Sequence, residues 1–263
     1  MSGLAVEIAG LDAWYGRRQV LKGIDLAVRD GEIMVIMGGS GSGKSTLLSH
    51  LLGLLQPARG TVRLLGQDLA TLTARQLMEL RRRIGVAFQS GALFSSLTVA
   101  QNIMLPLQEH SALDRKTMEI IVRLKLEVVN LAGYGDLMPA ELSGGMVKRA
   151  ALARAIVLDP RLLFCDEPSA GLDPVVSSAI DALILRLRDA MRMTIVVVTH
   201  DLASAFAIAD RMCVLDQGEV IALGRPDEIR ACPLPRVQDL LNRRTPEAAL
   251  DADAYLRRLL GEG

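Results

Sequence analysis

Eight consecutive residues, Gly38-Gly39-Ser40-Gly41-Ser42-Gly43-Lys44-Ser45, with Thr46 after them, form the pattern G-x-x-x-x-G-K-[ST]. Glycines at these places let backbone N–H groups curl around phosphate oxygens, and the helix that follows the loop would add the positive end of its dipole. Lys44 supplies a mobile point charge for β- and γ-phosphates, and the Ser45 hydroxyl can ligate Mg²⁺, a cation that takes oxygen ligands. A second phosphate-directed segment stands about a hundred residues on. In Leu142-Ser143-Gly144-Gly145-Met146, Ser143 and two glycine amides open another helix, expected over Val147 to Leu158. One nucleotide cannot occupy both loops. Between that helix and the next apolar strand, Leu162 to Cys165 run into two carboxylates, Asp166 and Glu167. This puts Asp166 at a sheet edge near Mg²⁺ and Glu167 one residue beyond, a placement that suits a hydrolytic site. His200 follows the apolar run Ile195 to Val198 and so opens onto the same crevice.

These groups need a scaffold, and the alternation of β-type and helix-type segments predicts an α/β fold: a sheet covered by helices. Short β-rich runs come first, Ala5 to Ala9, Ile24 to Val28 and Thr61 to Leu65, with one very apolar strand, Ile33 to Met37, directly before the glycine-rich loop. Leu47, Leu48, Leu51 and Leu52 share one face of the helix after it. From Leu97 to about Glu141 the β signal fades and helical spacing takes over at Met118, Ile121, Val122, Lys125 and Leu126, so a helical subdomain inserted in the core is expected there. Met212 to Leu215 and Val220 to Leu223 frame Asp216-Gln217-Gly218 as a hairpin. One domain is expected over 1–225. A different C-terminal extension, 226–263, holds Pro226, Pro233, Pro235 and Pro246 and an apolar-basic helix candidate from Ala248 to Leu260.

Composition narrows the partners. Lys plus Arg equals Asp plus Glu at 30 each in 263 residues, so no net field draws the chain onto nucleic acid, which is not expected as a partner. Half of the residues are apolar, yet the apolar runs have strand length, far short of the roughly 20 residues that a membrane helix needs. The extra apolar surface is expected to meet a partner. Met1 to Ala5 lack the basic and apolar stretches of an export signal, and Cys165, Cys213 and Cys232 are isolated, which together predict a chain kept inside the cell with reduced thiols. The basic run Arg81-Arg82-Arg83 reads as a solvated helix face.

The order Lys44, Gln89, Ser143, Asp166, His200 resembles the ABC ATPase family over roughly residues 5 to 225. The resemblance implies a P-loop ABC-type ATPase: a mainly parallel core sheet, an N-terminal antiparallel β subdomain and an inserted helical subdomain. It also implies ATP and Mg²⁺ as cofactors. Leu142 to Met146 is similar to the family's signature, which reaches ATP held by the phosphate loop of a second subunit, so that two copies sandwich two nucleotides. By the same resemblance Asp166 binds Mg²⁺ through water, Glu167 is the general base, His200 contacts the γ-phosphate and Asp173, in Ser169-Ala170-Gly171-Leu172-Asp173, lies near the dimer seam. Gln89, in Phe88-Gln89-Ser90-Gly91, matches the loop that touches Mg²⁺ and water and leads to the membrane partner. Tyr15 corresponds to the aromatic that stacks on adenine, with Trp14 competing. Two departures stand out: Gly39 where many members carry proline, and Met146 where the signature usually has Gln.

Met146, the run Phe88-Gln89-Ser90-Gly91-Ala92-Leu93-Phe94 and the extension look like the ATPases of bacterial Mla/Mce-type phospholipid transporters. That likeness implies integral membrane permease subunits as partners, with a small cytoplasmic accessory subunit and a periplasmic lipid-binding subunit, at the cytoplasmic face of the inner membrane. The runner-up cargo is a polar solute such as an amino acid, whose importers carry similar ATPases with Gln in the signature. A soluble ABC ATPase of DNA repair or translation would need a long coiled-coil insert or a second ATPase module, and a non-hydrolysing module would have lost Glu167 or His200; the sequence shows neither feature.

Overall fold

The computed structural model describes residues 3–242. In chain order its elements begin with β1 (Leu4–Tyr15), β2 (Arg18–Arg29), β3 (Ile33–Met37), α1 (Lys44–Leu51), β4 (Arg59–Leu64), β5 (Gln67–Asp68), α2 (Ala74–Arg81) and β6 (Ile84–Ala87). Helices α3 (Val99–His110), α4 (Arg115–Val128) and α5 (Gly144–Ala155) follow, then β7 (Leu162–Asp166), α6 (Pro174–Met191), β8 (Thr194–Thr199) and α7 (Leu202–Ile208). Strands β9 (Arg211–Asp216) and β10 (Glu219–Gly224) and helices α8 (Pro226–Ala231) and α9 (Pro235–Leu241) complete the described chain.

The central sheet has the order β10-β9-β3-β8-β7-β6. It is parallel except for the β9–β10 hairpin, which turns at Asp216-Gln217-Gly218 as the sequence predicts. Strands buried on both faces need apolar residues at every position, and β3 has five of five buried. Successive side chains point to opposite faces. Ile33, Val35 and Met37 therefore join one core with the helices α3 to α7, while Met34 and Ile36 join a second with α1 and the N-terminal sheet. That sheet is antiparallel, β2-β1-β4-β5. Helices α3 and α4 lie in the chain between β6 and β7, which pair directly, so the helical stretch is an insertion into a continuous sheet. Val122 and Leu126 face its core as the helical spacing predicts.

Several boundaries differ from expectation. The helix after Leu142 is Gly144–Ala155, three residues earlier than Val147 to Leu158. Ser143 caps it by accepting the Met146 N–H at 3.3 Å, and at the other end Asp159, at φ 51°, and Pro160 cannot continue a helix. Strand β6 and helix α2 were not anticipated. β6 has four residues and is held by its register on β7, Ile84 opposite Leu162 through Ala87 opposite Cys165. Arg82, in the basic run that ends α2, pairs with Glu79 at the surface. Pro226 and Pro235 each open a short helix, where a missing N–H costs nothing. Pro246 and the Ala248 to Leu260 candidate lie outside the described residues. The three thiols are free, and burial pushes Cys165 and Cys213 up to about 12, so neither is a nucleophile. No described helix is long and apolar enough to cross a membrane.

Candidate active site

Strands β3, β8 and β7 are adjacent and parallel, so the residues after Met37, Thr199 and Asp166 emerge at one sheet edge. The loop after β3 is pressed against the end of β9. A Cβ on Gly38 would lie 2.1 Å from the Leu215 carbonyl oxygen and 2.7 Å from Ser42 Oγ, so only glycine fits. Gly43, the N-cap of α1, brings no side chain to the helix start. The first-turn N–H groups are thereby left for an outside acceptor, and Ser42 Oγ is buried with no partner among the described residues. Lys44 Nζ donates to the Gly38 and Gly39 carbonyls, each at 2.8 Å, and lies folded over the loop. From behind, the hairpin turn braces the loop: Gly218 N–H donates to the Ser42 carbonyl at 3.0 Å and Lys22 N–H to that of Gly218 at 2.8 Å. Ser40 and Ser45 are exposed and Thr46 is buried.

Beside this loop stands Glu167, buried and with φ 48°, a left-handed conformation rare for a side chain of this size. Five bonds hold it there, one of them from the Ala170 N–H to the Glu167 carbonyl at 3.3 Å. Its N–H donates to the Val198 carbonyl at 2.8 Å; its own carbonyl accepts from Lys148 Nζ at 2.8 Å. Thr199 Oγ1 donates to Oε2 at 3.0 Å, and His200 Nδ1 is 2.6 Å from Oε1. The His200 side chain is 66% exposed, and its other nitrogen has no hydrogen-bond partner among the described residues. Charges couple across the site. Burial lowers the Lys44 pKa, opposed by the Glu167 and Asp166 carboxylates. Burial, with Glu167 next to it, raises that of Asp166, opposed by Lys148 and Lys44. A lysine and two carboxylates in mutual range, with an uncapped helix start, make a site for a polyanion and a cation together.

Three comparisons bear on this arrangement. The family model described as "ABC transporter" matches residues 21–170. The intermembrane phospholipid transport system ATP-binding protein MlaF of Haemophilus influenzae is 43% identical over 224 residues, 85% of each chain. The probable ribonucleotide transport ATP-binding protein mkl of Mycobacterium leprae is 39% identical over 242 residues, 92% of this chain and 70% of that one. Among solved structures, the ATP-binding cassette MJ0796 in a dimeric post-hydrolysis state bound to ADP and Pi superposes with a TM-score of 0.77 at 31% identity, covering 84% of this chain and 98% of that one.

This chain belongs to the ABC transporter family. It is an ABC-type ATPase whose hydrolysis of ATP is coupled to transport.

Within this ABC ATPase the fold gathers the Lys44 loop, Asp166, Glu167 and His200 into one crevice. Gln89 is exposed just beyond β6, and its carbonyl accepts from Lys148 Nζ at 2.6 Å. Tyr15 and Trp14 are both exposed at the tip of the β1–β2 hairpin, Tyr15 the more so at 56% against 38%, so neither is a core aromatic. Ser143 and Asp173 are exposed N-caps of α5 and α6, with Asp173 accepting from the Val175 and Val176 N–H groups at 3.0 Å. Gly144 and Gly145 form the first turn of α5. Neither cap is hydrogen-bonded to the Lys44 loop among the described residues. Lys148, Thr199 and Gly218 were not among the expected site residues. Lys148 carried one signal: it occupies the alanine-rich face of α5, with Ala151 close by, where a charge must find a partner.

Proposed function

We propose that Lys44, Glu167 and His200 hydrolyse ATP at this crevice as part of a sandwich of two copies that drives a phospholipid transporter. The observation that carries the reading is Glu167 itself: a buried, left-handed carboxylate whose two oxygens are held by Thr199 and His200, beside an uncapped phosphate loop. Gly38 to Thr46 bind the phosphates, with the Lys44 ammonium leaving its two carbonyl acceptors for the β- and γ-phosphates. Ser45, Gln89 and Asp166 hold Mg²⁺, which when bound neutralises charge on the phosphate oxygens. Released from His200, Glu167 Oε1 accepts a proton from the attacking water, and His200 turns its donor towards the γ-phosphate. Tyr15 stacks on the base. Ser143, Gly144 and Gly145 of the second copy reach the same triphosphate, and Asp173 lies at the seam.

Glu167→Gln keeps the shape and both side-chain partners while losing the base. It is expected to bind ATP within about twofold of wild type and to lose about 10²- to 10³-fold in turnover. Unchanged hydrolysis refutes the assignment of the base.

Likeness to MlaF supports phospholipid as cargo, with Met146 in the signature. On this reading the chain sits peripherally on the cytoplasmic face of a bacterial inner membrane, bound to permease subunits, with a cytoplasmic accessory and a periplasmic lipid-binding subunit. Likeness to mkl favours a second reading, a polar nucleotide cargo. Phospholipid recovered with the assembly purified from membranes supports the first, and its absence beside bound nucleotide cargo the second.

A further inference from the structure

Lys148 is the one buried lysine or arginine among the described residues, 9% exposed. It stands on α5, the helix that Ser143 opens. A buried ammonium must use its donors, and those of Lys148 go to main-chain oxygens: the Gln89 carbonyl at 2.6 Å and the Glu167 carbonyl at 2.8 Å. Both acceptors belong to residues of the proposed hydrolytic site, 59 and 19 positions away in the chain. Neither carboxylate oxygen of Glu167 is taken by the ammonium, since Thr199 and His200 occupy them. The ammonium therefore orients the Glu167 peptide and does not quench its side chain.

A left-handed glutamate persists only where its surroundings over-determine it. Three of the bonds that hold Glu167 come from Val198 and Thr199 of β8 and from His200 just after it, and a fourth is the local turn from Ala170 N–H; the one from Lys148 comes from a helix. On the other side the same helix holds the Gln89 loop twice more. Arg154 Nη1 donates to the Ala92 carbonyl at 2.7 Å and Nη2 to that of Gly91 at 2.9 Å. The loop from Gln89 to Ala92 is thus tied to α5 by two side chains, and the hydrogen bond from Lys148 ties Glu167 to the same helix.

Resting on the function proposed above, we propose that Lys148 is a positioning residue, which locks the Glu167 peptide to the Gln89 loop so that base and loop keep their relative place during hydrolysis. The side chain touches neither reacting atoms nor phosphate. Its loss should slow the chemical step and leave nucleotide binding almost intact, because misplacing a base lowers transition-state stabilisation without removing ground-state contacts.

The test uses the full-length chain with Mg²⁺ and ATP. Wild type, Lys148→Met, Lys148→Gln and Lys44→Ala are compared for kcat, KM, equilibrium binding of a fluorescent ATP analogue and thermal unfolding. Lys148→Met keeps the apolar stem without a donor and is expected to lower kcat about 10- to 100-fold, with analogue binding within about threefold. Lys148→Gln keeps N–H donors and is expected to recover at least about fivefold of that loss, a rescue that a merely structural role would not give. Wild-type kcat in Lys148→Met, or a rise in KM alone, overturns the proposal. Where Lys148→Met fails to fold, Lys148→Gln decides: its kcat falling together with a matching fall in analogue binding overturns the proposal, and a fall in kcat alone supports it. The failure of the parent reading looks different: Lys44→Ala then binds the analogue like wild type.

Discussion

Asp181 shows what a single buried residue can contribute to stability away from the site. It lies on α6 against α7, buried, with Oδ2 accepting from Ser204 Oγ at 2.8 Å and Oδ1 without a partner among the described residues. Burial raises its pKa above the usual carboxylate range, Asp201 adds to this, and the Ser204 hydrogen bond opposes it. The folded chain therefore holds this proton more tightly than the unfolded chain. Its contribution is full below the unfolded pKa and is lost as pH rises through the folded one. Asp181→Asn removes the charge at constant shape, so the variant is expected to gain about 1 kcal/mol at pH 8 and less at pH 5. Thermal unfolding at the two values checks this, and an equal change at both would contradict it. The residues of the site itself divide by legibility. Lys44, Asp166, Glu167 and His200 could be found because their types and order are specific. Lys148 and Thr199 could not, because an amine and a hydroxyl that serve a neighbour's position fit no motif.

Among the elements, α5 and the segment after β6 are joined by a close approach that residue types only hint at. Gly91 has φ 77°, and a Cβ there would lie 2.8 Å from Val147 Cγ1. Gly91→Ala is accordingly expected to cost about 1–3 kcal/mol in urea unfolding, from left-handed strain and from the clash. Adding Val147→Ala should relieve the steric part alone. A double mutant that is no better than the sum of the two single ones would place the whole cost in the backbone. The strands were legible where apolar runs were unbroken: β3 and the cores of β7 and β8 stand where the runs predict them. β6, with Gly85 in its four residues, lacked such a run. It is a strand because β7 offers it a free edge, and Gly85 is needed there, since a Cβ would meet the Ala155 carbonyl oxygen at 2.3 Å.

Across the whole molecule, the starts of α5 and α6 pack together and present one exposed face. A Cβ on Gly145 would lie 2.6 Å from Val176 Cγ1 and one on Gly144 3.3 Å from Leu172 Cδ2, so the two glycines allow this approach. Ser143, Asp173 and Val175, the last 79% exposed, stand on this face. On the two-copy sandwich proposed above, this face lies at the shared site. Glu167→Gln with ATP is therefore expected to sediment as a dimer and without ATP as a monomer. Adding Ser143→Arg, which puts bulk and charge at the helix start, should leave ATP binding intact and return the sample to monomer. A dimer that survives this change would remove Ser143 from the shared site.

By itself the sequence determined the chemistry: a loop for phosphates, two carboxylates at a strand end, a histidine after a second strand, and the α/β alternation that could carry them. Such features are local, each spelled by a few consecutive residues whose types are scarcely interchangeable. Tertiary structure alone decided that β3, β8 and β7 are neighbours, that Glu167 and His200, 33 positions apart, meet at 2.6 Å, and that Lys148 ties Glu167 to Gln89. For the strands and the Glu167–His200 pair the physical reason is separation in the chain, and for Lys148 it lies also in the acceptors. A carbonyl oxygen is the same at every residue, so a contact made to the main chain leaves no trace in the types it joins and becomes visible only when the fold brings distant segments together.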